Sequence, residues 1–392
     1  MSRLNVLWGD IYGSIGDFGT LIPLTLGMAN RGVIDIGPSF FWGGIFNIMT
    51  GWHFGIPIPI QPMKVIATDE SLTRNEVITS GVLTGLLTAL LGITNTTEVV
   101  KKFTPPVLIA VIQFSLGLKM VISGLTMSLN SNETWLTIIS AVTLLTGTFF
   151  ETLPTALVLL VTGIIKVLIV HKTSLKLMIP MTSVPVFTTG DFINGFLKGT
   201  LTQLPITILN SVISFSELSE QLFGPIEMVT IPQVSLSICI INTFSPFMGA
   251  MPSCHGAGGL ASQYRYGART GRSMVVLGIV KIITAILFGN SLKEIMEKFP
   301  SAVLGTLLVG SGIELATHGI KKLPTGDEKV HIHNMIFTIS VGTVMVTNTF
   351  YGYLLGLFIY FINFIPTLKQ RCSKRREYSL VEIEPITTTE MI

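Results

Sequence analysis

Lys64 closes the run Gly55-Ile56-Pro57-Ile58-Pro59-Ile60-Gln61-Pro62-Met63-Lys64, deep inside an otherwise apolar part of the chain. At the centre of a bilayer an ammonium costs about 2.5–3.5 kcal/mol on insertion scales, so it calls for a protein carboxylate or an anionic substrate, unless the side chain snorkels to the interface. Proline at alternate positions forbids a helix and leaves a short extended stretch. Pro62 then suits the first turn of a following helix, where its missing N–H costs nothing. A second run of this kind is Ala250-Met251-Pro252-Ser253-Cys254-His255-Gly256-Ala257-Gly258-Gly259. Here Ser253 is placed to cap a helix, and the glycines permit close backbone approach. Each helix start offers unpaired N–H donors and about half a positive charge, worth roughly 0.3–1 kcal/mol to an anion. The chemistry this pattern suits is anion binding, with Gln61, Pro62, Lys64, Ser253, Cys254, His255 and Gly256 as the candidate contacts. His255 reads equally well as a packed donor. A Cys254–His255 nucleophile is not expected, because adjacent residues at a helix start diverge and no orienting carboxylate is near.

Acidic residues within or at the ends of apolar runs are Asp10, Asp17, Glu151 and Glu314. Intramembrane carboxylates are functional candidates by default, and Asp17 and Glu314 are the candidates for carrying a coupling proton. Asp10 and Asp17 are seven apart, on one face of a continuous first span. Asp17 could instead only bond backbone freed by Pro23 and its neighbouring glycines. Glu314 has Lys119 as its repeat mate, so a structural ion pair competes with its functional reading. Cys239, Cys254 and Cys372 offer neither a disulfide framework nor paired metal spacing. No catalytic residue, cofactor or metal is expected.

The elements that must position these residues are membrane spans. Of 392 residues 48% are hydrophobic and 12% charged, about half the charge of an average soluble domain, and the mean hydropathy is +0.66. Apolar length and breakers predict an all-α polytopic protein with spans near 6–29, 36–54, 74–94, 105–127, 134–150 and 154–170, then 199–216, 232–249, 272–291, 300–317, 333–348 and 350–366. Two short elements, 61–71 and 255–268, cannot cross alone. The division is a first repeat over 1–170, a linker over 171–198, a second repeat over 199–366 and a tail over 367–392.

A shift of 195 residues places Asn47 on Asn242, Pro57 on Pro252, Pro105 on Pro300 and Gly117 on Gly312. Seven elements per half, an odd number, force the second copy to be inverted, with elements 3 and 10 broken, and paired breaks point to a carrier's binding site. The tail Lys369–Arg376 carries five basic residues and places both termini in the cytoplasm by the positive-inside rule. The cluster Arg265, Arg269 and Arg272 is either an anion funnel or, more simply, a positive-inside loop.

The segments Gly16–Leu24, Pro57–Lys64 and Cys254–Thr270 resemble the molybdate transporter family within the sulfate permease superfamily. That resemblance, over roughly residues 8–365, implies a fold similar to the uracil permease, seven plus seven inverted spans with substrate between the broken third and tenth. Only about 26 residues follow Pro366, too few for the regulatory domain of sulfate permeases. The expected function is therefore secondary active transport of a tetrahedral oxyanion, most simply molybdate, coupled to protons, with tungstate and sulfate as related anions. The competing reading on the same fold is a sulfate transporter. A nucleobase carrier is disfavoured because neither broken helix supplies a carboxylate. An intramembrane enzyme or a non-transporting receptor are the rivals from other classes. The expected partners are the oxyanion and the lipid bilayer, a homodimer is admitted, and nucleic acid is not expected.

Overall fold

The computed structural model describes residues 3–150, 154–170, 185–323 and 330–363. Glu151, the start of the linker and the basic tail 367–392 lie outside the described residues.

The first predicted span is two helices. Arg3–Gly13 and Phe18–Asn30 are separated by a turn in which Gly16 N donates to Gly13 O and Phe18 N to Ile15 O. Gly13, Ser14, Gly16 and Gly19 crowd this point, and glycine costs about 1 kcal/mol relative to alanine inside a helix. The expectation of one continuous helix is thereby corrected: Asp10 and Asp17 do not share a helix face, and Asp17 sits at the start of the second segment. Asp10 instead accepts from the Arg269 and Thr270 amides at 2.7 and 2.9 Å and so fixes the loop before Arg272–Phe288.

Ile36–Phe54 ends at Gly55, whose φ of 71° is the left-handed conformation that closes helices. The alternating prolines then carry the chain in extended form into β1 (Ile60–Pro62). β1 pairs antiparallel with β2 (Ser253–His255), in the register Ile60 to His255, Gln61 to Cys254 and Pro62 to Ser253. A two-stranded ribbon leaves unpaired backbone groups, which are expensive away from water. Asparagines of the preceding helices satisfy them. Asn47 Oδ1 accepts from Ile60 N at 3.0 Å, and its repeat mate Asn242 accepts from Ser253 N at 2.8 Å.

Two local expectations are corrected here. The helix after β1 is only Lys64–Thr68, capped by Met63, so Pro62 belongs to the strand and not to a first turn. The helix after β2 is Ala257–Arg265 with Gly256 at its cap, and Ser253 is a strand residue whose hydroxyl donates to Met251 O. In both places strand pairing, which a single sequence does not announce, overrode turn and cap preferences.

Four described helices are long and apolar enough to cross a membrane: Arg74–Ile93, Pro106–Leu129, Ile231–Met248 and Ser301–Lys321. Shorter apolar ones include Thr134–Phe149, Val330–Val346 and Thr349–Asn363. The first helix of the second half begins at Thr189, inside the predicted linker, and runs to Phe223 through two π-helical stretches, Gly195–Thr200 and Thr207–Ser214.

Packing follows the 195-residue register. Ile36–Phe54 packs along Arg272–Phe288, and Arg74–Ile93 along Ile231–Phe244. The shift exchanges these two pairs. It maps a third, Pro106–Leu129 against Ser301–Lys321, onto itself. In that third crossing a Cβ on either Gly117 or Gly312 would come within 2.6 Å of the other's carbonyl oxygen, so the helices meet backbone to backbone, as small residues allow in membranes. The outer surface is apolar: Leu90, Leu129, Leu145 and Phe149 are exposed, which suits contact with lipid tails.

Candidate functional site

A cavity of about 440 Å³ lies where Phe18–Asn30, Lys64–Thr68, Pro106–Leu129 and the π stretch Thr207–Ser214 converge. Its polar lining is Thr20, Lys64, Thr68, Lys119, Ser123, Asn210, Asn348 and Thr349; the rest is apolar, and no carboxylate lines it. Pocket walls of this kind, apolar with a few placed polar groups, suit small ligands. Lys64 and Lys119 are both half-buried, and neither joins an ion pair among the described residues. The Lys119–Glu314 ion pair that competed with a functional reading of Glu314 is not among the described ion pairs. Glu314 turns instead to His318, one helical turn on, at 3.2 Å, and it does not line the cavity.

Gln61 and Asp17 lie behind this cavity. The Gln61 amide donates from Nε2 to Asp17 Oδ1 at 2.5 Å, with both residues almost fully buried. The Gln61 side chain lies against Gly256 and Gly259, and a Cβ at Gly259 would stand 2.8 Å from its amide carbon and nitrogen. Only glycine leaves that slot open. Asp17 stands in the field of Lys281 and Lys64. Lys281, in Arg272–Phe288, is 1% exposed, and its ammonium makes no hydrogen bond. Its electrostatic partner is Asp17.

The remaining sequence candidates have other partners. Cys254 Sγ receives a hydrogen bond from Ser211 at 3.2 Å. His255 Nε2 lies 3.0 Å from the Ser237 hydroxyl, and its ring packs between Phe54 and Phe215. Neighbouring strand residues point to opposite faces, so Cys254 and His255 cannot act as a nucleophile pair. The amide of Val65, in the first turn after β1, is taken by Gln203 Oε1 at 2.9 Å. Five residues also make too short a helix for a sizeable dipole. The balance of charge at this cavity thus falls on lysine side chains rather than helix starts. Arg269 stacks on Tyr264, 3.8 Å from its ring centre, and bonds its own loop, which favours the simple loop reading of the basic cluster.

Lys119 and Lys281 were visible in the sequence as charges inside apolar spans, the signal that singled out Lys64. Neither lies in a motif.

Apolar outer surface and helices long enough to cross a bilayer define an integral membrane protein. Solved structures share this fold: the transmembrane domain of a cyanobacterial bicarbonate transporter, BicA, at TM-score 0.53 and 16% identity over 92% of this chain and 98% of that one, and murine Slc26a9, an anion transporter, in its inward-facing state at 0.58 and 13% over 94% and 70%. The profile of the family described as "Molybdate transporter of MFS superfamily" matches residues 9–120 and 195–315. Molybdate transporter 1 of Arabidopsis thaliana is 31% identical over 90% of this chain and 87% of its own length, and molybdate transporter 1 of Chlamydomonas reinhardtii is 28% identical over 89% and 90%. The chain belongs to the molybdate transporter family.

Proposed function

We propose that this protein is a secondary active transporter that carries molybdate across a membrane, held as a tetrahedral dianion in the cavity beside Lys64. The observation that carries the reading is a half-buried lysine, projecting from the broken segment after β1 into a carboxylate-free cavity. No described acid lines the cavity beside it, Asp17 acting on it only from behind the wall, and an oxyanion supplies a direct partner. Hydroxyls of Thr20, Thr68 and Ser123 and the Asn210 amide can donate to the remaining oxygens. Names of relatives, molybdate transporters in a plant and an alga, support the same substrate.

The reading extends to coupling and architecture. Entry of a dianion against an inside-negative potential costs about 2.3 kcal/mol per charge per 100 mV, so at least two positive charges must accompany it. Asp17 is the proposed proton carrier, set behind the cavity wall and reached through Gln61. Glu314, held by His318 away from the lining, is the weaker of the two sequence candidates. The exchange of helix pairs under the 195-residue shift supports two inverted repeats working as core and gate.

Uptake of radiolabelled molybdate into vesicles reconstituted with the protein tests the function. Tungstate, nearly the same size, is expected to compete better than sulfate. Stronger competition by sulfate makes this a sulfate carrier, and absence of flux removes the transporter reading.

A further inference from the structure

Lys119 sits on one seam of Pro106–Leu129. Ile112, Leu116, Met120, Ser123 and Met127, spaced by three or four residues along that helix, line the cavity with it, while Ile122, Leu125 and Leu129 of the same helix are exposed on its outer side. The lysine therefore lies on the cavity side of its helix. No ion pair among the described residues involves it, although Glu314 is on the helix packed alongside. Lys64 reaches the same cavity from an unrelated element, the short helix after β1.

We propose that Lys119 is the second cationic ligand of the bound anion, and that Lys64 and Lys119 together select doubly charged over singly charged tetrahedral oxyanions. The proposal rests on the cavity being the substrate site and deepens it to a rule of charge. In a mostly apolar enclosure each uncompensated charge carries a desolvation penalty. Two ammoniums match a dianion, whereas a monoanion leaves one of them unpaired. Removing one ammonium reverses that match. Because the two lysines come from separately packed elements, the dianion also ties the β1–β2 region to the Pro106–Leu129 helix.

The experiment uses two probes of nearly equal size and shape that differ in charge, tungstate and perrhenate, with affinities measured on the purified full chain. Wild type should bind tungstate more tightly. Lys119→Gln should weaken tungstate about ten- to hundred-fold, the worth of one charge-assisted contact, while perrhenate binding changes little, so the preference narrows or inverts. Lys119→Arg should keep the wild-type order, and Lys119→Met provides a second neutral variant should the glutamine variant unfold. Equal losses for both anions in the neutral variants, or no loss for tungstate, overturn the role of Lys119. If wild type binds neither anion, the cavity is not an oxyanion site and both readings fall.

Discussion

Gln61 donates its side-chain amide to Asp17 at 2.5 Å, with both residues sealed from solvent in the layer behind Lys64. The residue that follows the proline ladder is thereby joined to the acid at the break of the first span. Asp17→Asn keeps an oxygen for Gln61 to donate to and removes only the ionisable proton. In vesicles with an imposed pH gradient, wild-type molybdate flux should rise with an inward proton gradient, and the Asn variant should lose that dependence. Flux that ignores the gradient in wild type rules out coupling. Full gradient dependence in the variant would place the proton elsewhere.

Lys281 depends on the same acid. Its buried ammonium makes no hydrogen bond and joins no ion pair among the described residues; Asp17 acts on it at longer range, and a buried charge that loses its compensating charge is destabilising. Asp17→Asn alone should therefore lower unfolding stability, and adding Lys281→Met should restore much of it. Additive losses in that double-variant cycle, followed by thermal or denaturant unfolding in detergent, would separate the two residues energetically.

Lys64→Met retains stem volume and apolarity without the charge. Folding should survive and tungstate affinity fall about ten- to hundred-fold. Unchanged affinity by calorimetry would make Lys64 structural.

Glu217, just past the end of the predicted span 199–216, joins Lys101 at 2.9 Å and Lys322 at 2.5 Å. It so clamps together the ends of three separate helical segments. Burial alone would raise its carboxyl, but Lys322 and Lys101 outweigh that and hold it below the usual carboxylate range. A depressed folded value means that the stabilisation is complete at neutral pH and is lost as pH falls through the carboxylate range towards the folded value. Glu217→Gln should cost about 1.5–3 kcal/mol at neutral pH and flatten the acid limb of the stability profile. A variant as stable as wild type at pH 7 would show that the clamp contributes nothing.

Much of this architecture is legible in the sequence, because bilayer thickness fixes span length and because breakers recur in register. Asn47 and Asn242, matched by the 195-residue shift, do the same work of holding a strand. What the sequence misplaced is governed by partners distant in the chain. Pro62 and Ser253 look like helix-start residues until β1 and β2 pair. The Val65 amide looks free until Gln203, 138 positions away, occupies it. Glu314 and Lys119 look like an ion pair until His318 takes the carboxylate. The break at Gly13–Asp17 has its signal in Gly13, Ser14, Gly16 and Gly19, outweighed in the span reading by the length of the apolar run from Val6. Of the candidate contacts, Lys64 alone lines the cavity; the strand residues among the others are taken up in the β1–β2 ribbon and its packing partners.

The central claim, that a tetrahedral oxyanion rests in the cavity between the Lys64 segment and Pro106–Leu129, is tested most directly by locating tungstate. Its strong anomalous scattering marks the ion in crystals of the protein grown with it. The account predicts a single strong peak among Lys64, Lys119, Thr20 and Asn210. A peak elsewhere, such as at the Arg265–Arg272 loop, with the cavity empty at saturating tungstate, would contradict it.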